Sequence, residues 1–331
     1  MVQHVTRRHL LRAVAATPAL AAPLFARAAG KFPSQPFVIL NPSTPGGYLD
    51  NLSRAIDPFL AHDLGQSFSI MNLPGGNGML AAARLIQSPT EGYNIMVAGV
   101  NTLVIAMLVH PTPFKADDFT MLNLPSRDYT LMATSAENTM LKSVDDVVKA
   151  LQADPQSLSI GAQSVSPDNI NLALFADAIG VPREQLRIVT YEGGGTVRTA
   201  IMGGVIDIGL AGAEGFLPLR QLTRPLLLFN SKRQAAFDAP CVNDMHFKEA
   251  LDFSPGTVRG FVLQSAFKTK YPDRYALMVN AFERAFKNPQ AIASMEKQQL
   301  DPTWYGPDES NAVYQAMFTQ YKKYAGLLKG S

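Results

Sequence analysis

Phe37-Val38-Ile39-Leu40-Asn41-Pro42-Ser43-Thr44-Pro45-Gly46-Gly47-Tyr48-Leu49-Asp50 runs from an apolar stretch, through a Pro/Gly turn, into an amphipathic stretch. The apolar run has the length and composition of a buried strand, and Leu49 to Ala61 reads as the helix after it. Paired glycines allow a tight turn whose backbone N–H groups point outward, and the helix adds the positive end of its dipole. That arrangement suits an anion. Pro58 requires this helix to kink or to end early.

The same order recurs along the chain. Phe68 to Met71 leads through Asn72-Leu73-Pro74-Gly75-Gly76-Asn77-Gly78 into Met79 to Ile86, and Leu158 to Ile160 through Gly161-Ala162-Gln163-Ser164-Val165-Ser166 into Ile170 to Ala178. Leu186 to Val189 leads through Tyr191-Glu192-Gly193-Gly194-Gly195-Thr196 into Val197 to Met202. Tyr93 to Val97 and Leu226 to Phe229 add strands, and Ser143 with Asp146 forms a capping box opening the helix Val144 to Leu151. Tyr271 to Phe286, Pro289 to Gln299 and Glu309 to Leu328 read as helices. Such alternation predicts α/β layers with mostly parallel sheets.

At 331 residues the chain exceeds a typical single domain of ~100–200 residues, so two lobes are expected. No flexible linker appears, which implies that the chain crosses between lobes more than once and leaves a cleft there. Four glycine-rich loops in equivalent positions, two in each half, place a shared site at the carboxyl ends of the strands. The candidate ligand contacts are Ser43, Thr44, Gly46, Gly47, Tyr48 and Asp50 from the first loop and Pro74, Gly75, Gly76 and Asn77 from the second. Gln163, Ser164 and Ser166 come from the third, Tyr191 and Gly193 from the fourth, and Asp207 from a later turn. An Asp in the first turn of a helix also serves the dipole, so Asp50 has a structural reading beside the ligand one. Arg54 and Asp207, a turn or more beyond the loop tips, lean to the structural reading.

Residues 1–28 read as an export signal: Arg7, Arg8 and Arg12, then the apolar run Ala13 to Ala26, then the small-x-small site Ala26-Arg27-Ala28. The paired arginines fit a twin-arginine signal, with an ordinary secretory signal as the alternative. Removing four arginines turns the formal +2 of 29 basic and 27 acidic residues into −2. The mature chain is therefore expected outside the cytoplasm, with a charge balance too even for a nucleic-acid reader, although whole-chain charge alone leaves a local basic patch open. Cys241 is the single cysteine, which excludes a disulfide framework. His62, His110 and His246 lack ligand spacing, so no metal is expected.

Taken as an ordered set, these motifs resemble the periplasmic substrate-binding proteins of tripartite tricarboxylate transporters, the Bug family, over residues 30 to 325. The resemblance rests on Pro45-Gly46-Gly47-Tyr48-Leu49-Asp50 with Arg54, Leu64-Gly65-Gln66, the loop Asn72 to Gly78, Gly92-Tyr93 and Asp118-Phe119. In the second half it rests on Tyr191-Glu192-Gly193, Gly203-Gly204-Val205-Ile206-Asp207 and Arg233. It implies a type II periplasmic-binding-protein fold: two doubly wound α/β lobes around a ligand cleft, residues 29–128 and 252–331 in one lobe and 129–251 in the other. It also implies a small organic carboxylate as ligand (a di- or tricarboxylate, an aromatic acid or an acidic amino acid), delivery to membrane transporter subunits, no cofactor, no catalysis and a monomer. The loops themselves offer N–H groups and hydroxyls, with no dedicated Arg or Lys.

The departures from the family pattern bear on the ligand. Tyr48 and Leu49 stand where glycine and a small hydroxyl are usual, so the Tyr48 ring is placed to stack on an aromatic acid or to narrow the cleft. Gln163 and Val165 replace glycines, Asn169 replaces His, and Thr257 to Gly260 lacks the usual Trp. Two rival readings remain. Gly76-Asn77-Gly78-Met79-Leu80-Ala81 fits a dinucleotide fingerprint, which would make the chain an exported oxidoreductase, although the next strand ends without an acidic residue to hold a ribose. A flytrap that senses ligand for a signalling partner would carry the same motifs.

Overall fold

The computed structural model describes residues 32–247, 253, 254 and 256–328. The segment read as an export signal lies outside the described residues. Two five-stranded sheets organise the chain.

The first sheet holds β1 (Phe37–Asn41), β2 (Phe68–Asn72), β3 (Asn94–Gly99), β4 (Phe119–Arg127) and β10 (Val258–Gln264), in the order β2-β1-β3-β10-β4. The second holds β5 (Thr130–Ser135), β6 (Ser159–Gln163), β7 (Arg187–Tyr191), β8 (Ile208–Gly212) and β9 (Thr223–Phe229), in the order β7-β6-β8-β5-β9. In each sheet one strand runs against its neighbours: β10 in the first and β5 in the second. Both enter from the other sheet.

Successive side chains on a strand point to opposite faces, so continuous apolar runs imply sheets covered on both sides. Phe37, Ile39, Ile95 and Val97 pack against α1 (Tyr48–Leu64), α8 (Pro272–Phe286) and α9 (Pro289–Lys297). Leu40, Met96 and Ala98 face α2 (Met79–Gln87), α3 (Val100–Val109) and α10 (Gly306–Leu328). In the second sheet Met132, Ile160 and Leu210 pack against α4 (Val144–Ala153) and α5 (Pro167–Ala178). Leu131, Ala133 and Ala211 meet α6 (Gly194–Met202) and the turn 213–219 on the other face. Each sheet thus has a core on both faces.

The capping box at Ser143 forms as expected: Ser143 N donates to Asp146 Oδ2 at 2.9 Å and Asp146 N to Ser143 Oγ at 3.4 Å. Pro58 does not end α1 early, since the helix continues to Leu64. Proline removes one N–H, but Leu52, Ile56 and Leu60 are fully buried on one face, and that packing carries the helix past it.

The topology decides where the sheets meet. The chain leaves the first sheet at Arg127, the carboxyl end of β4, and enters the second at Thr130, which pairs with Gly212 at the carboxyl end of β8. It returns from Phe229, the end of β9, to Val258 and Arg259, which sit beside Gly99 at the carboxyl end of β3. The crossings run side by side, Asp128 N donating to Thr257 O at 3.0 Å. Both crossings lie at carboxyl edges, so those edges face each other. Buried polar contacts hold the junction: Ser254 N donates to Asn171 Oδ1 at 2.7 Å, and Asn101 Nδ2 donates to the Tyr321 hydroxyl at 2.6 Å.

Candidate functional site

The loops predicted to hold ligand lie along these facing edges, after Asn41, Asn72, Gln163 and Tyr191. Four helices that leave the edges, α1, α2, α3 and α6, have glycine at the N-cap (Gly47, Gly78, Gly99 and Gly193), and none of these caps offers a side-chain acceptor. By contrast, α4 and α9 are capped by Ser143 and Asn288. An uncapped first turn leaves N–H donors and the positive dipole end open to an anion. The second loop reaches its helix through Gly75, Gly76, Asn77 and Gly78, all at positive φ. Glycine accepts that backbone at little cost, and Asn is among the few other residues that do.

Several candidate residues turn out to build the loops. Asp50 is buried, and its carboxylate accepts from Arg54 Nε at 2.8 Å, Arg54 Nη2 at 3.1 Å, Gly46 N at 3.0 Å, Asn72 Nδ2 at 3.0 Å and Asn41 Nδ2 at 3.4 Å. The Arg54 guanidinium, helped by the Gly46 N–H and the Asn72 amide, holds this carboxyl down at about 2 against burial. With its oxygens saturated, Asp50 organises the loop and has nothing left for a ligand. The Gly46 N–H is spent on it, and the Gly47 N–H donates to Thr44 O at 3.2 Å. The outward donors expected at these two glycines are instead those of the first turn of α1. Ser43 Oγ donates to Asn41 Oδ1 at 2.8 Å, while Thr44 stays exposed.

In the second lobe Ser166 is buried, donates to Gln163 O at 2.7 Å and caps α5 by accepting from Asn169 N at 3.3 Å. Gln163, Ser164, Tyr191 and Gly193 remain partly open at the edge, as do Pro74, Gly75, Gly76 and Asn77 in the first lobe. Asp207 lies at the other end of the strands. Its Oδ2 accepts from Ser159 N at 2.7 Å and Ser159 Oγ at 2.6 Å, at the start of β6, and pairs with Arg187 at the start of β7. A residue at the amino ends of the strands cannot reach a ligand at the carboxyl edges. The Gly-Gly-x-x-Asp turn therefore closes the back of the sheet.

The edges also bring together a charged cluster that no local motif announces. Arg259, from β10, lies with its guanidinium 4.4 Å from the centre of the Tyr48 ring. Its Nη2 is 3.7 Å from Asp128 Oδ2, and its Nη1 is 3.8 Å from Glu214 Oε2 and donates to Ser126 Oγ at 3.0 Å. Glu214 follows β8, so the two lobes meet at this cation. Arg198, on α6, reaches Gly212 O at 3.4 Å and lies so close to Gly215 that a Cβ there would be 2.3 Å from its Cζ. Asp168 accepts from Thr130 Oγ1 at 2.7 Å. Burial pushes Glu214 up to about 7, with the Asp128 carboxylate adding to the rise, and pushes Asp168 up to about 6. Asp128 is likewise raised by burial, and the Arg259 guanidinium opposes this. An arginine thus stands at the facing edges, supplied by the return crossing and not by a glycine loop.

Residues 52–328 match the family model described as the tripartite tricarboxylate transporter family receptor. The chain belongs to that receptor family. Among its relatives is BugT of Bordetella pertussis, 22% identical over 95% of this chain and 94% of that protein. The protein of the TAR-I ttuE-ttuC' intergenic region of Agrobacterium vitis is 25% identical over 56% of this chain, which spans only 53% of that protein's length. The fold is similar to that of MatC from Rhodopseudomonas palustris, solved with bound malate: TM-score 0.71, 20% identity, covering 89% of this chain and all of that one. The dinucleotide reading finds no support in the topology, because Gly76 to Gly78 follow β2, an edge strand, whereas that fingerprint belongs after a central first strand. No helix among the described residues is long and apolar enough to cross a membrane.

Proposed function

We propose that this receptor captures a small organic carboxylate between the facing carboxyl edges of its two lobes and presents it, as a periplasmic monomer, to the membrane subunits of a tripartite tricarboxylate-type transporter. The observation that carries the proposal is the set of glycine-capped helix starts at these edges, α1 from one lobe and α6 from the other, left without side-chain caps. Two opposed positive helix ends fit a ligand with a carboxylate at each end, and the malate bound to MatC has that form. Residues 29–128 with 252–331 form one jaw and 129–251 the other, hinged at the paired crossings. Thr44, Gln163, Ser164 and Tyr191 supply hydroxyl and amide contacts, with water completing the shell.

A thermal-shift panel of citrate, malate, aspartate, glutamate, nicotinate, benzoate and terephthalate tests this reading. At 100 Kd a ligand should stabilise the fold by about 2.7 kcal/mol. At least one acid is expected to raise Tm clearly; no shift across the panel would reject the carboxylate assignment.

A further inference from the structure

Arg259 is under-used where it stands. Its side chain is only 17% exposed, yet of the five N–H donors of a guanidinium a single hydrogen bond is made among the described residues, to Ser126 Oγ. The carboxylates of Asp128 and Glu214 lie at 3.7 and 3.8 Å, beyond hydrogen-bond length. A guanidinium this little exposed, with donors unspent, gains strongly from a carboxylate that meets its planar fork on two bonds. Its position favours such a meeting. The ring beneath it belongs to Tyr48, the first residue of α1, so the cation borders the uncapped helix start.

Asp128 and Glu214 differ in their freedom. Asp128 is fixed: its side chain is 1% exposed, and Oδ1 accepts from Tyr129 N at 2.7 Å and Glu214 N at 3.1 Å. The Glu214 side chain is 38% exposed and is tied by no hydrogen bond among the described residues; it only leans toward Arg259 from the opposite lobe. Resting on the carboxylate reading above, we propose that Arg259 is the specificity-determining anchor for one carboxylate of the ligand, and that Glu214 is a built-in surrogate which the ligand displaces from it. Glu214 then biases the site against weak monoacids, which must compete with a carboxyl group already in place, and in favour of diacids that also engage a helix start.

Isothermal titration of malate, citrate, terephthalate and benzoate into the wild type, Arg259→Gln, Arg259→Lys and Glu214→Gln tests the assignment. For each di- or triacid that the wild type binds, Arg259→Gln is expected to raise Kd at least tenfold. Arg259→Lys should recover part of that loss, and Glu214→Gln should lower Kd several-fold and narrow the gap between terephthalate and benzoate. Unchanged affinity in both Arg259→Gln and Glu214→Gln overturns the proposal while leaving the carboxylate function standing. If Arg259→Gln fails to fold, Glu214→Gln decides alone: tighter binding supports the surrogate, and equal or weaker binding rejects it. A wild type that binds neither these four acids nor any other acid of the thermal-shift panel rejects the functional reading, and the anchor with it; an acid found only in that panel joins the titrations under the same expectations.

Discussion

The Arg259 guanidinium sits 4.4 Å from the centre of the Tyr48 ring, joining a strand that returns late in the chain to the first residue of the first helix. One face of that ring is therefore occupied, and the Tyr48 hydroxyl accepts from Asp301 N at 3.3 Å. With that face taken, we expect a positioning role, in which Tyr48 aims Arg259, in place of the aromatic stacking that the sequence suggests. A cation–π contact of this kind contributes ~0.5–2 kcal/mol. Tyr48→Ala should then weaken an aliphatic diacid and an aromatic acid by similar factors, several-fold each, in parallel titrations. A loss confined to the aromatic acid would restore direct stacking.

Why the loops were legible and the cluster was not has a physical explanation. A glycine loop between an apolar run and a helix is a local pattern, and the carboxyl-edge placement of Asn41, Asn72, Gln163 and Tyr191 follows from it. β4 contains Pro125 and Asn123, which argue against a strand, and it is tolerated because β4 lies at the sheet edge. β8, Ile-Gly-Leu-Ala-Gly, looks like a turn, yet a Cβ at Gly209 would meet Val197 at 2.7 Å, so its glycine lets α6 pack closely. α3 is apolar on every side apart from Asn101 and Thr102 at its start, and such a helix carries no period to read. Arg259 was invisible for a different reason: its partners come from residues 48, 128 and 214, and only the double crossing brings them together.

Asp50 offers a test of loop organisation separate from ligand contact. Its carboxyl titrates at about 2 in the fold, below the ordinary 3.8, so its stabilising contribution is fully present above about pH 4 and is lost as pH falls towards 2. Asp50→Asn removes charge-assisted bonds from a buried site and should cost about 1–3 kcal/mol. Thermal unfolding followed from pH 5 down to pH 2 should show the wild type losing stability faster than Asp50→Asn, the curves converging at the acid end. Parallel curves would mean that Asp50 is not the group titrating.

Glu214 carries the opposite sign. A carboxyl raised to about 7 from 4.5 is disfavoured in its charged form by the fold, so the penalty grows as pH rises from about 4.5 and is complete above about 7. Glu214→Gln lacks that penalty. The difference in Tm between Glu214→Gln and the wild type should widen in favour of the variant between pH 4.5 and 8. Asp168, raised to about 6, contributes a smaller slope over the lower part of the same window that the variant retains. A difference in Tm that stays flat from pH 4.5 to 8 would place Glu214 in an ordinary solvated state and remove its link to Asp128.

Asp207 separates fold from site most cleanly, because its position at the amino ends of β6 and β7 is the one furthest from its expected role. It ties the Ser159 backbone and hydroxyl to the turn before β8, while its side chain is 40% exposed. Asp207→Ala leaves the Ser159 N–H at the sheet margin to water, at a cost of about 1 kcal/mol. For a domain of this size that corresponds to a fall in Tm of about 2–4 °C. The Kd for whichever acid the wild type binds should stay within twofold, since no carboxyl-edge loop depends on this contact. A selective loss of affinity at unchanged Tm would require the Gly-Gly-x-x-Asp turn to act on the ligand through the length of β8, and would return Asp207 to the binding set.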